Sequence, residues 1–589
     1  MNLLVIVVPV AVVLTIAYFT YGRVLSRLLR LDAKRPTPAV ELRDDLDYSP
    51  IEPKFLLSQH FSAIAAAGPI VGPILAGVMF GWLPALIWIL VGSIFIGGVH
   101  DMTALVASIR HKARSIAEVV RDHMTQRSYY LFLAFVWLAL VYIIVAFTDV
   151  TASSFIGRKN LETGQEVTAV QADAMNDGDT VSGGGIATSS LLYLVLPIVM
   201  GLLLRYTKLS LNMATLIFVP LVGVAIWVGQ YIPLDLAQLL DISNPQASKV
   251  WDVLILGYCL IAAVVPMWML LQPRGHLGGY FLYAALGAAA IGLIVGGKTI
   301  QYPAFTSWTT PSGASLAPML FITIACGACS GFHSMIASGT TSKQLRLETD
   351  ALPIGYGAML LEAMVATISL CCVMVLVPGS PTLKSEPNFI YALGIGGLLE
   401  PTGISAKLAV SFALMAFTTF VYDTLDVCTR LGRYIIQELL GMQNTAGKWL
   451  GTILTAGVPL FFVVQTAVDA SGNPIPIWKL FWSLFGASNQ LLAALSLLGV
   501  TVWLWRTRRA MWVWFVTGIP TVVMYVMSTW ALVQIIGAKL QGEWYYDAVT
   551  WVAIVLVALA ALMLVEAVRV LWDLRTPTSP AARGAVAAS

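Results

Sequence analysis

The sequence is poor in charged residues. Asp, Glu, Lys and Arg make up only 11% of its 589 residues, whereas soluble domains carry roughly 25%. The chain is 58% hydrophobic and its mean hydropathy is +0.81. This composition excludes a soluble protein and predicts an integral membrane protein. The formal net charge is only +3, and we expect the partners to be the lipid bilayer and a small-molecule substrate, with no nucleic acid.

Other features are missing as well. The six cysteines lie mostly in apolar runs and none lies in the long polar loops, which argues against an extracellular disulfide framework. The first twenty residues lack a basic segment and a cleavage site, so they are predicted to be a retained span. The chain contains no HExxH motif and no segment long enough for a soluble signalling domain. These absences weaken the cases for a zinc hydrolase and for a nutrient sensor.

Apolar stretches of about 20 residues, the length needed to cross a bilayer, recur along the whole chain. The sequence predicts about fifteen transmembrane helices, at 2–20, 60–80, 82–108, 129–148, 186–204, 212–232, 252–271, 278–297, 317–337, 354–378, 406–427, 448–468, 477–504, 511–536 and 550–571. The fold class is therefore an all-α polytopic membrane protein. The segment 389–399 is a further short apolar stretch that fits a re-entrant hairpin.

The distribution of Lys and Arg predicts the orientation, because short cytoplasmic loops hold an excess of both. An N-terminus outside and a C-terminus in the cytoplasm place the basic residues in alternate, cytoplasmic loops. Among them are Arg23, Arg35, Arg110, Arg205, Arg274, Lys343, Arg430, Arg433, Arg508 and Arg569. The opposite loops are acidic or poor in charge, as in residues 160–179.

The stretch from Cys326 to Gln344, CGACSGFHSMIASGTTSKQ, has an unusual composition for a membrane span. It holds glycines, serines, threonines and His333 where ordinary spans hold Leu, Ile and Val, since polar groups facing hydrocarbon cost free energy. Small residues can serve close helix packing, or they can let a backbone unwind beside a cavity or an ion. An ionisable residue in a span is functional by default, which favours a role for His333.

Two other stretches combine residues that break helices. GPIVGP, at 68–73, has two prolines that remove backbone donors, and VPMWMLLQP, at 265–273, is the second predicted break. They lie five spans apart, the interval expected of a LeuT-type five-plus-five inverted repeat whose halves each begin with a broken helix. The stretch from Cys326 would then belong to the eighth helix of that core.

This arrangement predicts the substrate site. Unwound helix ends offer backbone donors and partial positive charge to a carboxylate. We predict substrate contacts at Gly68, Pro69, Val71, Gly72, Cys326, Gly327, Ser330 and Gly331.

Several ionisable residues are predicted near the cytoplasmic ends of their spans, His60 among them, and their shared depth suggests one cluster. We predict a coupling-ion role for His100, Asp101, His333, Asp423 and Asp426 together with the hydroxyls of Ser338, Thr340 and Thr341. The hydroxyls favour sodium, whereas the histidines and carboxylates favour protons. Two alternatives stay open: ion pairs between these acids and Arg430 or Arg110, and a purely structural pairing of Glu362.

A metal site is a further alternative. Cys326, Cys329 and His333 have the spacing Cys-x2-Cys-x3-His, which neighbouring carboxylates can complete. This would make the protein an intramembrane metal-dependent enzyme or a metal-binding membrane protein. Buried cysteines more often only pack, so the sequence favours no metal, no cofactor and no catalytic residue.

A family resemblance rests on several motifs in order. QHFSAIAAAGPIVGP, GGVHD, CGACSGFHSMIASGTTSKQ, the segment from Asp423 to Arg430 and FGASNQ resemble the CstA carbon starvation family of bacterial inner-membrane transporters. The resemblance implies proton-coupled uptake of short peptides or pyruvate by a relative of the amino acid, polyamine and organocation superfamily. It also implies a LeuT-type core and a nonpolar residue in place of Cys329, which weakens the metal alternative.

These observations give one overall prediction, a secondary active importer of the inner membrane working by alternating access. Its domains are predicted as an N-terminal helix and cytoplasmic linker (1–58), a transport core (59–430), additional C-terminal helices (431–575) and a disordered tail (576–589). The sequence leaves open whether the substrate is a peptide or pyruvate, and it does not reveal the oligomeric state.

Overall fold

The structure, a computed structural model, describes residues 1–44, 48–167, 171, 175, 177–310, 313–468, 474–540 and 547–573. The predicted tail at 576–589 lies outside these residues. Within them the chain is mostly helical. This agrees with the composition, because a backbone in hydrocarbon must satisfy its own hydrogen bonds and a helix does so within one segment.

Thirteen helices in the described part of the chain are long and apolar enough to span a membrane. They are α1 (Leu4–Leu29), α5 (Trp82–Arg110), α7 (Gln126–Ala152), α8 (Gly183–Tyr206), α9 (Leu211–Tyr231), α11 (Asn244–Val264), α12 (Leu271–Gly296), α15 (Glu348–Met374), α17 (Ala406–Leu440), α18 (Thr445–Val463), α19 (Ile477–Arg508), α20 (Trp514–Lys539) and α21 (Ala548–Asp573).

Two further predicted spans are divided in the structure. The span at 60–80 is the bent pair α3 (Pro53–Ile64) and α4 (Gly68–Phe80). The span at 317–337 is split into α13 (Leu316–Thr323) and α14 (Gly331–Gly339). Every predicted span therefore corresponds to a helix or to a broken pair.

Short elements connect these helices. They comprise α2 (Pro38–Glu41), α6 (Ile116–His123), α10 (Leu236–Leu240) and α16 (Pro387–Leu399). Strands β1 (Arg158–Asn160), β2 (Glu166–Val167) and β3 (Thr180–Ser182) form an antiparallel sheet in the order β2-β1-β3, with Lys159 opposite both Glu166 and Val181. Strands β4 (Ala467–Val468) and β5 (Pro474–Ile475) pair antiparallel. Residues 389–399, which fit a re-entrant hairpin by sequence, belong to the single helix α16.

The helices form an inner group and an outer group. In the most apolar 18 residues of each helix, all of those in α19 and 89% of those in α17 are buried, whereas only 22% of those in α1 are buried. The outer helices turn large apolar side chains such as Ile16, Leu216 and Val522 away from the protein. Such exposure in many helices at once fits a lipid surround, in which apolar side chains need no protein cover.

The first broken helix bends by 47° between α3 and α4. The break comprises Ala65, Ala66 and Ala67, immediately before GPIVGP, so the prediction that GPIVGP itself unwinds is wrong. Pro69 sits in the first turn of α4, where the missing N–H would have no helical partner. The first proline therefore begins the second half of the helix rather than interrupting it.

The second predicted break, at 265–273, is also wrong. Helix α11 ends at Val264, α12 begins at Leu271, and each is long enough to cross the membrane alone. The polar residues that precede Asp252 are already helical, with a capping box formed by Ser243 and Gln246. The predicted span was therefore displaced along the chain, and its prolines lie in and beside a connection between two spans.

The second broken helix is instead the stretch with the unusual composition. Residues 324–330 separate α13 from α14 and pack directly against α4. A Cβ added at Gly68 would lie 2.3 Å from Sγ of Cys326, and one added at Gly72 would lie 2.4 Å from the carbonyl oxygen of Thr323. The two broken helices are thus in contact at positions where only glycine fits.

One end of the bundle gathers basic side chains, and we call it the basic end. Glu348, almost fully buried, binds Arg35 (Nη1 to Oε1, 2.8 Å) and Arg110 (Nε to Oε1, 2.8 Å). Arg110 also donates to the carbonyl of Leu29 at 2.6 Å. The ends of α1 and α5 and the start of α15 therefore share one face, as the charge pattern predicted. Arg110 thus pairs with Glu348, an acid outside the proposed cluster.

The contact between the broken helices can be tested with alanine. We expect Gly72→Ala to cost about 1–3 kcal/mol, because its methyl group would overlap a backbone carbonyl. Gly257→Ala is the matched control in α11: nothing lies within 4 Å of its added Cβ, and helix propensity favours alanine by up to about 1 kcal/mol. Thermal unfolding of the purified protein in detergent measures both, and equal midpoints for the two variants would contradict this packing.

Candidate functional site

Four ionisable side chains from three helices meet in the buried core. Asp101 Oδ1 lies 2.7 Å from Nδ1 of His100, and Asp101 Oδ2 lies 2.8 Å from Nδ1 of His333. Nε2 of His333 lies 3.3 Å from Oε2 of Glu362, an ion-pair distance without hydrogen-bond alignment. None of the four is more than 1% exposed. We call this row, His100–Asp101–His333–Glu362, the histidine relay.

The relay holds more acceptors than donors. His333 lies between two carboxyl groups, so its ring can face two ionised carboxylates favourably only when each nitrogen carries a proton. In the described part of the chain, neither carboxyl oxygen of Glu362 has a hydrogen-bond partner. An unpaired buried carboxylate costs several kcal/mol. A proton on Glu362 or on His333 Nε2 therefore stabilises the relay, which is the chemistry of a proton-binding site.

The fold positions His333 through the start of α14. Asn489 of α19 accepts from the backbone N–H of Phe332 at 3.0 Å and from the hydroxyl of Ser330 at 3.2 Å. It thereby satisfies donors that the first turn of a helix leaves without partners. Gln490 donates to the carbonyl of Phe321 at 2.6 Å. The pair Asn489 and Gln490 therefore holds both sides of the break.

The glycines in this region serve packing. A Cβ at Gly97 would lie 2.4 Å from the carbonyl of Ala328, and one at Gly331 would lie 2.4 Å from the backbone nitrogen of Ala493. Close approach through small residues is common between membrane helices. The small residues of the stretch pack helices together, and its histidine belongs to the relay.

A second buried cluster surrounds Arg274. Its Nε lies 2.5 Å from Oδ1 of Asp423 and its Nη1 lies 2.6 Å from Oδ2 of Asp426. Tyr258 accepts from Arg274 and donates to Asp426 at 2.9 Å, and Ser62 donates to Asp423. We call this group the arginine cluster. Its guanidinium is fully buried.

The predicted position of Arg274 in a cytoplasmic loop is wrong, because the residue lies in the first turn of α12. A lone Arg between two apolar runs looks the same whether it faces water or a carboxylate. The signal that could have revealed it was the pair Asp423 and Asp426 inside a span, since two buried acids call for a cation. The predicted partner, Arg430, binds the carbonyls of Ala262 and Val265 instead.

A small cavity borders the arginine cluster at Asp423. It has a volume of about 20 Å³, room for roughly one water molecule. His60 and Asp423 both line it, and His60 Nδ1 lies 2.8 Å from the hydroxyl of Thr341. Gln59 and Gln344 form a wall shared with a larger pocket of about 240 Å³ near the basic end. We call the two spaces the central cavity and the vestibule.

The structure therefore divides the predicted cluster into two. His100, Asp101 and His333 meet, Asp423 and Asp426 meet elsewhere, and His60 lies on the central cavity with Asp423. Of the predicted hydroxyl residues, Thr340 and Thr341 line the central cavity with His60 and Asp423, whereas Ser338 lines a different pocket. Ser338 donates to the carbonyl of Ser334 and accepts from the backbone of Ile116, and Thr340 donates to Ile336. The predicted substrate residues are brought together, but closely packed, as the contact of Gly68 with Cys326 shows.

The predicted metal group does not form a site in the described residues. No three His, Cys, Asp or Glu side chains there are arranged to hold a metal ion. Cys326 interacts with Ser330 and Asn489, at 3.6 Å and 3.5 Å from its sulfur. Both ring nitrogens of His333 face carboxyl groups. The thiols and the histidine thus belong to different contacts.

A helical bundle with membrane-length spans, two broken helices in contact and buried ionisable groups beside a small cavity has the features of a multi-pass membrane transporter. The chain matches the profile of the family described as "Carbon starvation protein CstA" over residues 2–390 and 380–531. It belongs to that family.

Curated relatives agree with this assignment. The peptide transporter CstA of Helicobacter pylori is 31% identical over 572 residues, covering 86% of this chain and 78% of the relative. The peptide transporter CstA of Bacillus subtilis is 30% identical and covers 85% of each chain. The pyruvate/proton symporter BtsT of Escherichia coli is 29% identical and covers 90% of this chain and 81% of the relative. These relatives are transporters and not enzymes.

Among solved structures, the manganese transporter of Eremococcus coleocola aligns over 91% of this chain and 99% of that chain. The sequence identity is 14% and the TM-score is 0.43, a likeness too weak to define the fold.

The role of Asn489 can be separated from ordinary helix capping. We expect Asn489→Ala to lower stability by about 1–2 kcal/mol, because the first turn of α14 loses its acceptor. We also expect it to lower transport at least tenfold, since His333 lies one residue beyond the capped Phe332. The matched control is Asn444→Ala, because Asn444 is an exposed cap that accepts from Gly447 at 2.9 Å at the start of α18.

The control should lose similar stability and keep transport. Thermal unfolding in detergent and uptake into proteoliposomes give the two readouts. Equal transport by the two variants would show that Asn489 only caps its helix.

Proposed function

We propose that this protein is a proton-coupled importer of small carboxylates, either pyruvate or short peptides, in the bacterial inner membrane. Pyruvate and peptides appear in the names of its relatives, and both present a carboxylate. A role in scavenging such compounds during carbon starvation fits the family name.

The coupling proposal rests on His333, which lies between the carboxyl groups of Asp101 and Glu362. The relay has more hydrogen-bond acceptors than donors, because neither carboxyl oxygen of Glu362 has a partner in the described residues. Protonation there alters the balance of buried charge on α5, α14 and α15, so one conformation can bind a proton more tightly than another. Sodium remains the alternative ion. The present positions of Ser338 and Thr340, both bonded to backbone carbonyls of their own helix, favour the proton.

The packing supports an inverted repeat with boundaries different from those predicted. Helix α4 packs on α15 as α14 packs on α5, and α12 packs on α3 as α19 packs on α13. Helices α7 and α17 pack on each other, as do α11 and α18. We assign one half to α3/α4, α5, α7, α11 and α12, and the other to α13/α14, α15, α17, α18 and α19. The stretch from Cys326 then becomes the sixth helix of the core rather than the eighth.

This assignment changes the domain division. The boundary expected at 430 falls inside the continuous helix α17, and α18 and α19 complete the second half. We therefore extend the core to Arg508, with α1 before it, α8 and α9 inserted between α7 and α11, and α20 and α21 after it. Alternating access moves the halves around the central cavity, with the basic end in the cytoplasm.

Reconstitution tests the proposal directly. Proteoliposomes with an inward proton gradient should accumulate labelled pyruvate or dialanine, and an uncoupler should abolish the accumulation. Asp101→Asn and Glu362→Gln should reduce gradient-driven accumulation at least tenfold but retain exchange of substrate across the membrane, because they remove the proton site and leave the substrate path. The control variant is Asp252→Asn, which changes a buried carboxylate of α11 remote from the relay. This variant should accumulate substrate normally.

Accumulation driven by a sodium gradient and insensitive to the proton gradient would replace the proton with sodium. Absence of uptake of both substrates would remove the proposed function.

A further inference from the structure

Arg274 is a buried cation with more hydrogen-bonding capacity than the arginine cluster uses. Its Nε and Nη1 bind Asp423 and Asp426, while Nη2 has no partner in the described part of the chain. Arginine binds carboxylates with a planar fork of donors. A buried fork with a free donor, close to a cavity in a transporter core, suits a ligand carboxylate.

Asp423 is the member of this cluster that faces the cavity. It lines the central cavity together with Gly275, the residue that follows Arg274. Asp426 lies away from it and is held by the hydroxyl of Tyr258 at 2.9 Å. A carboxylate entering the cavity therefore meets Asp423 first, at the position from which it would reach the guanidinium.

The charges of the arginine cluster link the binding of a further carboxylate to the uptake of a proton. With both acids ionised the buried cluster carries two negative charges and one positive charge. A further carboxylate cannot join it without another positive charge, since buried like charges repel strongly. If Asp423 takes up a proton, the total charge stays the same when the new carboxylate pairs with Arg274.

We propose that the guanidinium of Arg274 binds the substrate carboxylate, and that Asp423 accepts from this guanidinium in the empty transporter and leaves it when Asp423 is protonated. This proposal deepens the function proposed above and rests on it. Binding of one monocarboxylate takes up one proton on the Asp423 carboxyl group. Release of the substrate returns Asp423 to Arg274 and gives the proton back.

Gly278 makes room for Asp423 in its present position. A Cβ at Gly278 would lie 2.3 Å from Oδ2 of Asp423 and 2.4 Å from Oγ of Ser62, so glycine creates the space that the carboxylate occupies. The central cavity is too small for pyruvate, and substrate binding requires the cavity to widen. The vestibule, separated from it by Gln59 and Gln344, provides the adjoining space.

Other groups around Asp423 can titrate or carry charge and must be distinguished from it. His60 faces the same cavity from α3. The remainder are Tyr193 on α8, Tyr258 on α11, Arg274 on α12, and Tyr422, Asp426 and Arg430 on α17. The rivals for the proton are His60, which lines the same cavity, and the relay residues Asp101, His333 and Glu362.

The test measures binding of pyruvate and of dialanine to the full-length protein in nanodiscs between pH 5.5 and 8.5. For the wild type, the apparent Kd should rise up to about tenfold per pH unit above the titration of Asp423. Calorimetry in buffers of different ionisation enthalpy should show uptake of about one proton per bound carboxylate. Asp423→Asn should bind with a Kd independent of pH, because its side chain leaves the arginine without a proton.

Further variants and ligands identify the anchor. Arg274→Lys should weaken binding at least tenfold, because a lysine lacks the planar fork, and amide analogues of both ligands should fail to bind the wild type. His60→Gln should keep the pH slope, as should His123→Gln, a remote histidine at the basic end. A pH slope that persists in Asp423→Asn, or that disappears in His60→Gln, would overturn the proposal.

Failure of this proposal is distinguishable from failure of the proposed function. If the wild type accumulates carboxylates with a proton gradient but binds them without proton uptake, the exchange at Arg274 is wrong and the transport function stands. That measurement needs no variant and therefore does not depend on folding of the mutants. If the wild type neither binds nor transports either ligand, both proposals fall.

Discussion

Water is absent from the hydrocarbon core of a membrane, and this constraint governs every part of the structure. Each buried polar group must find its partner within the protein or carry a high free energy cost. The second break illustrates the point, because residues 324–330 leave the helix where Asn489, Gln490 and Trp88 bond to the backbone around the break. A broken helix is stable here because a neighbouring helix satisfies it.

The same constraint explains why the charged groups form compact clusters. Arg274 binds two acids, and His333 lies between two more. In water such pairs would contribute little, but in this core removal of one partner leaves an uncompensated charge. Protonation and substrate binding are therefore coupled wherever they share a buried pair, and a transporter needs this coupling to use a proton gradient.

The comparison between the sequence and the structure separates local from long-range information. Span positions follow from apolar runs of membrane length, so even the broken helix at 317–337 was found. The location of the breaks was harder to predict. Proline predicts a break within GPIVGP, yet Pro69 begins α4, and the break itself consists of three alanines, which carry no helix-breaking signal of their own.

The sequence by itself determined the membrane class, the approximate spans, the charge asymmetry of the loops and the family, because each depends on local composition or on ordered motifs. It also identified His100, Asp101, His333, Asp423 and Asp426 as unusual. Only the tertiary structure decided that these residues form two clusters, that Arg274 completes one and that Glu362 completes the other. Pairing of buried charges depends on which helices are neighbours, and residues such as Arg274 and Asp423 lie 149 positions apart in the chain.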